Sequence, residues 1–344
     1  MKLSEFARES KETFKGSMVD IPVVGLEHLI PGELTFSEYD VNSEHTFTKA
    51  FHKGQILFGR RRAYQRKAAV ADFDGICSGD ITVIEAIPGK IVPELLPFII
   101  QNDAFFEYAV SRSAGGLSPR VKWADLADFE YNLPSWEEQK KLSDQLWAAY
   151  KLKQAYNKLL LASRDLVKSG FIEMFGNPQY CESETILANI CNMKAGKAIK
   201  SDELKDEGYP CYGGNGLRGY LDRYSHEGTF PIIGRQGALC GNVILAKGQF
   251  YATEHAVVVT PKETINNEWL YYCLTLMDFN RLARGVAQPG LSVEVLLNQP
   301  IRFPSLPLQE EFAAFARQAD KSEFELKKVI EDIDMVIKSL INQQ

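Results

Sequence analysis

The chain repeats itself, and a repeat of this length restricts the architecture more than any short motif inside it. In the first half, ILFGRRRAYQRKAAVADFDGICSGDITVIEA is followed by PELLPFII and later by YNLPSWEEQ. In the second half, FPIIGRQGALCGNVILAKGQFYATEHAVVVT is followed by NNEWLYYCL and later by IRFPSLPLQEE. Gly59-Arg60 matches Gly234-Arg235 and Ser78 matches Thr253, both at an offset of 175. Pro134 matches Pro304 and Gln139 matches Gln309 at an offset of 170, so about five residues differ in the loops between. The duplicated unit covers nearly all 344 residues, in keeping with about two domains at roughly 150 residues each.

Each copy shows the same coarse order. Short apolar runs bounded by Gly and Pro, such as Asp80 to Ala86 and His255 to Thr260, read as strands. The stretch from Gly196 to Tyr220 is rich in Gly and polar residues and reads as surface loop. A long helix then closes each copy. Ser135 with Glu138 forms a capping box, and Leu142, Leu146, Ala149, Tyr156, Leu160, Val167 and Met174 follow at spacings of three and four or their multiples. Gly176, Asn177 and Pro178 punctuate the end. In the second copy Phe312, Ala316, Ala319, Leu326, Ile330, Ile333, Ile337 and Leu340 keep the same seven-residue phase, interrupted only by Glu323. Helices of roughly 30 to 40 residues would be about 45 to 60 Å long, and such a stripe needs a partner helix, most economically the one in the other copy. The expected fold is mixed α/β (α+β): two tandem domains of related fold, each followed by a long helix, related by a pseudo-twofold.

Charge complicates any role in nucleic-acid binding, because the net charge is -6, with 39 Lys plus Arg against 45 Asp plus Glu. The positive charge is clustered, however. Arg60, Arg61, Arg62, Arg66 and Lys67 put five cations in eight residues around Tyr64, while the stretch from 305 onward is acidic. The N-terminus alternates charge with apolar residues and has no apolar core of a signal peptide, and no run approaches the roughly 18 residues of a membrane span, so a cytoplasmic protein is expected. Cys77, Cys181, Cys191, Cys211, Cys240 and Cys273 form no C-x-x-C and read as free, mostly buried thiols.

Catalytic patterns are weak. NPQY (Asn177 to Tyr180) is one residue from a base-holding N-P-P-Y but sits at a helix end without a Gly-rich cofactor turn upstream. Glu-x-Lys at Glu9, Glu203 and Glu325 lacks a paired Asp on an apolar strand. Gly213 to Gly216 lacks the Lys-Ser/Thr of a P-loop, and His28, His45, His52, His226 and His255 have no ligand spacing. Glu254-His255 is the nearest acid/base pair, and its place on a predicted strand favours a packed or DNA-facing His. Neither cofactor nor metal is expected.

A variable domain ending LP-x-x-x-EQ, a long helix ending MFGNP, a second variable domain ending P-x-LPLQEE and a second long helix resemble the specificity (S) subunit of type I restriction-modification systems, over essentially the whole chain. The resemblance implies two target-recognition domains, at 1–133 and 178–304, each reading half of an asymmetric bipartite DNA site. It implies spacer helices at 134–177 and 305–344 forming an antiparallel coiled coil. It also implies double-stranded DNA and methyltransferase (M) subunits as partners, with restriction (R) subunits joining the larger complex, and a non-catalytic role. Half-sites one turn apart lie about 34 Å from centre to centre, a span such helices can bridge.

Arg pairs with guanine and Asn or Gln with adenine at base edges. Candidate DNA contacts in the first copy are therefore Arg60, Arg61, Arg62, Tyr64, Gln65, Arg66 and Lys67, with Arg112, Ser113, Arg120 and Lys122 around Gly115-Gly116. In the second they are Lys197, Lys200, Asn215, Arg218, Arg235, Gln236, Arg284 and Gln288. Arg60 and Arg235, kept in both copies, are expected to serve the fold as much as a base; the unmatched Arg61, Arg62, Arg66 and Lys67 are expected to contact DNA. Two rival readings stay open: a scaffold that kept the coiled coil and lost DNA reading, and a methyltransferase or nuclease whose motif is unrecognised.

Overall fold

A computed structural model describes residues 1–16, 19–42, 44–183, 185–237, 239–262, 264–285 and 289–342. The chain divides into two compact units: Met1–Tyr156 with Lys328–Gln344, and Asn157–Lys327.

Among the described residues the first unit opens with the short helix α1 (Leu3–Phe6) and the strands β1 (Ala7–Ser10), β2 (Pro22–Val24), β3 (Asp40–Val41), β4 (Lys49–Phe51), β5 (Ile56–Gly59), β6 (Ala68–Val70), β7 (Gly75–Cys77) and β8 (Ile81–Ala86). They form two four-stranded sheets, ordered β1-β8-β5-β6 and β3-β2-β7-β4. Helices α2 (Leu96–Gln101), α3 (Asp103–Ser111) and α4 (Trp123–Leu126) follow. The Asn102 side chain accepts the Ala104 N–H and so caps α3. Phe58 from β5 packs against Phe105 and Phe106 of α3, which ties sheet to helices.

The second unit holds, among its described residues, α6 (Leu187–Ile190), six strands, α7 (Asn267–Leu276) and α8 (Val293–Leu297). Its strands are β9 (Cys191–Ala195), β10 (Tyr209–Gly213), β11 (Gly216–Leu221), β12 (His226–Gly234), β13 (Val243–Ala252) and β14 (Ala256–Pro261), in the order β11-β10-β13-β12-β14-β9. The four strands β9-β14-β12-β13 reproduce β1-β8-β5-β6 in order and register. Gly59 lies opposite Ile81 and Gly234 opposite Ala256, and Phe58 opposite Ala68 and Ile233 opposite Val243, all four matches at the offset of 175. The mixed α/β fold expected from the sequence is the one observed.

One reading is corrected. The stretch from Gly196 to Tyr220 is not simply loop, because β10 and β11 form a hairpin turning at Gly214-Asn215. Its small and polar residues hid the alternation that buries Cys211 and Leu221 against Tyr251, with Leu204 and Ile199 closing the cluster.

The long helices are α5 (Trp136–Phe175) and α9 (Leu306–Asn342). Ser135 and Glu138 make the expected capping box, with Ser135 N–H and Oγ both donating to Glu138 Oε2. Within the first unit Lys153 of α5 pairs with Asp334 of α9, and Tyr150 and Ile341 share one core. Within the second, Arg164 pairs with Glu323, and Phe171 packs edge-on against Phe312 at 5.1 Å. In each unit numbers rise on one helix as they fall on the other, so the pairing is antiparallel. None of the residues of the expected seam is exposed. The first turns of that stripe do more than face a partner helix, however: Leu142 and Leu146 join the core of the first unit with Phe98 and Leu96, and Phe312 and Ala316 join that of the second with Trp269 and Leu270. A helix leaving a domain must first cover that domain's own apolar face.

Candidate nucleic-acid interface

In the first unit the cationic segment leaves β5 at Gly59 and is held by backbone. Arg60 donates its N–H to Asp80 O (2.9 Å) and accepts from Val121 N (3.0 Å), while Arg62 donates to Pro119 O (2.8 Å). Ala114 and Arg120 exchange two hydrogen bonds of 2.9 Å and clasp the tip carrying Gly115, Gly116 and Leu117, the last 97% exposed. Gly59 is glycine for a reason of space: a Cβ there would lie 3.1 Å from Lys67 O and 3.0 Å from Leu26.

Side chains divide into those tied down and those left free. Arg61 Nε donates to Ser118 Oγ at 2.8 Å and its Nη1 reaches Asp80 at 3.3 Å, while Arg120 Nε donates to the other Asp80 oxygen at 2.7 Å. The Arg120 hydrogen bond first, with Arg61 adding to it, holds the Asp80 carboxyl below its usual range despite partial burial. Arg66 pairs with Asp103 and lies 5.2 Å over the Phe106 ring, and Lys67 Nζ donates to Leu26 O at 2.6 Å. Arg112 lies 5.2 Å over Tyr108, and Ser113 Oγ donates to Ala109 O. Tyr64 and Lys122 are exposed and Gln65 is half-buried. Arg60 and Arg62 differ from their neighbours: both are half-buried, with Nε shielded from solvent and no hydrogen-bond partner for it among the described residues. The sequence signalled the cations but not Asp80, Ser118 or Asp103, which decide which cations are occupied.

The second unit builds the same clasp. Arg235 donates to His255 O (3.0 Å) and accepts from Leu291 N (2.9 Å), Gly237 donates to Pro289 O (3.1 Å), and Arg284 and Gly290 exchange two bonds of 3.0 and 2.9 Å. The β10–β11 turn lies directly against it: a Cβ on Gly234 would meet Gly214 O at 1.9 Å, so only glycine fits. Gly214 is thereby set against the backbone of Gln236 and His255; Asn215 and Arg218 on the hairpin are exposed, and Arg235 and Gln236 are half-buried. Lys197 and Lys200 are exposed too, with Lys197 N–H donating to Ala252 O next to this turn. Among the described residues Lys197, Arg235 and Arg284 form no ion pair; Gln288 lies outside the described residues. Glu254 and His255, 3.2 Å apart, sit in the turn between β13 and β14 rather than on a strand.

Backbone conformation separates the two clasps. Arg62 and Arg66 have left-handed φ of 54° and 57°, and their matched residues are Gly237 and Gly241, with φ of 95° and 97°. For a residue with a Cβ this conformation costs about 1–2 kcal/mol, a cost glycine avoids.

Among the described residues, the one group of His and carboxylates near enough to share a metal is Glu27, His28 and Asp40. His28 Nδ1 accepts the Gly25 N–H at 2.9 Å, which commits that nitrogen to the backbone, and Nε2 lies 3.7 Å from Asp40. No helix among the described residues is long and apolar enough to cross a membrane.

A family model for the type I restriction modification DNA specificity domain matches residues 184–333. Among curated proteins, the type I restriction enzyme EcoprrI specificity subunit of Escherichia coli is 48% identical over 139 residues, 39% of this chain and 35% of that protein. The putative specificity subunit S.HindORF215P of Haemophilus influenzae is 36% identical over 128 residues, 36% of this chain and 33% of that one. The chain thus spans about a third of the length of the curated relatives it matches. Among solved structures, the S subunit of a type I restriction-modification system from M. genitalium has a TM-score of 0.64 at 16% identity, over 99% of this chain and 94% of its own. A second, from work on complex assembly and conformational transition of the type I R-M system, has a TM-score of 0.55 at 17% identity, over 98% and 97%. Residues 184–333 are therefore similar to the type I restriction modification DNA specificity domain, and the chain over nearly its whole length shares the fold of the solved S subunits.

Proposed function

We propose that the chain is the DNA-specificity subunit of a type I restriction-modification complex. It reads an asymmetric bipartite site in double-stranded DNA and brings methyltransferase and restriction subunits to it in the cytoplasm, without catalysing a reaction itself. Residues 1–133 and 178–304 act as the two readers, and 134–177 and 305–344 as the spacer that docks the methyltransferase. The observation that carries this reading is the pair of clasps: the same backbone hydrogen bonds recur at Arg60, Arg62 and Ala114–Arg120 and at Arg235, Gly237 and Arg284–Gly290, with different side chains on each. One scaffold with two sets of side chains suits two half-sites of different sequence.

Many of the first clasp's cations already have partners in the chain, and the net charge is -6. Tight binding then needs phosphate contacts from a basic partner, and the isolated chain should bind DNA weakly with a shallow salt dependence. The test is co-expression with the methyltransferase subunit of its own system, followed by sequencing of methylated sites in host DNA. A bipartite methylated motif that vanishes when this chain is omitted is the expected result. Methylation indifferent to its omission would leave the scaffold reading.

A further inference from the structure

Arg62 stands out among the cations of the first clasp on two independent grounds. Its backbone is held left-handed at φ 54°, where the matched residue of the second clasp is Gly237. Its side chain forms no ion pair among the described residues, whereas Arg61, Arg66 and Arg120 are each paired with a carboxylate. A left-handed arginine is unfavourable, and this half-buried one is held by no carboxylate among the described residues, so the ends of its guanidinium remain for an acceptor from outside the chain. Arg60, like Arg62, has an Nε without a hydrogen-bond partner among the described residues, but its counterpart is Arg235, so whatever it contacts is common to both half-sites, as a phosphate is. The residue present in one clasp only is the one that can tell the half-sites apart.

We infer that Arg62 reads a guanine in the half-site bound by residues 1–133, forking onto its O6 and N7 in the major groove, and that the second half-site has no such contact at Gly237. This rests on the DNA-specificity role proposed above. The experiment uses the full chain co-expressed with its methyltransferase subunit and reads the methylated motif in host DNA for wild type, Arg62→Gly and Arg62→Lys. Arg62→Gly relieves the backbone, so its thermal unfolding should be unchanged or raised, while discrimination at one guanine of one half-site falls about tenfold or more and the other half-site stays intact. Arg62→Lys should relax the same position, because an ammonium cannot fork onto guanine. A motif unchanged in Arg62→Gly, or restored by Arg62→Lys as a phosphate contact would be, overturns the inference. A wild-type complex that methylates no defined motif overturns instead the role on which it rests.

Discussion

Arg164 on the first long helix meets Glu323 on the second, Nη2 to Oε1 at 2.6 Å. The pair has a counterpart in the other unit, Lys153 with Asp334 at 2.7 Å, and the offset of 170 maps Lys153 onto Glu323 and Arg164 onto Asp334. The two bridges are one bridge with its charges exchanged. Both cations therefore lie on the first helix and both anions on the second. A first helix laid in the same antiparallel register on another first helix would set Lys153 beside Arg164, and two second helices would set Glu323 beside Asp334. Each mismatch opposes the wrong pairing, as charges flanking coiled-coil seams do. Half-exposed bridges are worth about 1 kcal/mol or less each. Reversing one charge, Arg164→Glu, should lower the urea midpoint, and Arg164→Glu with Glu323→Arg should restore most of it. Equal midpoints for single and double reversals would show that the pair contributes no pairing preference.

The same carboxylate gives the helix pair an acid dependence. The Arg164 hydrogen bond, aided by Lys327, lowers Glu323 to about 2 against the effect of partial burial. A group depressed in the folded state stabilises fully above its unfolded value near 4.5, and loses that contribution as pH falls toward 2. Stability should therefore decline between about pH 5 and pH 2, and Glu323→Gln should flatten that part of the profile. A variant whose acid-unfolding curve overlays the wild type would remove Glu323 from the account.

Gln139 and Gln309 are matched in the repeat and buried in the structure, at 4% and 0% exposure. Gln309 accepts the Asn266 N–H at 3.0 Å and donates to Pro304 O at 2.9 Å; Gln139 does the same with Val92 N and Pro134 O. Each glutamine thus bolts the start of a long helix to the loop entering the preceding domain helix. Replacing Gln309 by Leu strands a backbone donor and a backbone acceptor, at about 1–3 kcal/mol each. Urea unfolding should register a loss of about 2–6 kcal/mol for the two together, and no loss would mean that water takes over both bonds.

How far the fold was readable depended on how far each signal lies along the chain from its partner. The repeat, the capping box at Ser135 and the long helices rest on spacings within a few residues or on direct comparison of the two copies, and these were readable. The β10–β11 hairpin was not, because its alternation is carried by Gly, Tyr and Cys rather than by branched apolar residues. At the candidate interface the arginines are plain in the sequence, but whether each is free depends on Asp80, Ser118 and Asp103, between 19 and 57 residues away from Arg61 or Arg66. The repeat alone matches Arg62 with Gly237, but that Arg62 holds a left-handed backbone there takes a φ angle.

Thiol chemistry offers a check on the packing of both units at once. Five of the six cysteines are buried, and Cys181, just after the end of α5 and the turn that follows it, is half-buried. Burial pushes the Cys77 and Cys191 thiols up to about 12 and raises Cys211, Cys240 and Cys273 as well, which disfavours the thiolate in all five. Since the thiolate is the reactive form, an aromatic disulfide reagent should modify one thiol of the native protein quickly and the rest only as it unfolds. The fast phase should disappear in Cys181→Ser, and urea should bring five equivalents into reach in that variant. A fast phase that survives the substitution would mean that one of the two cores opens more readily than its packing implies.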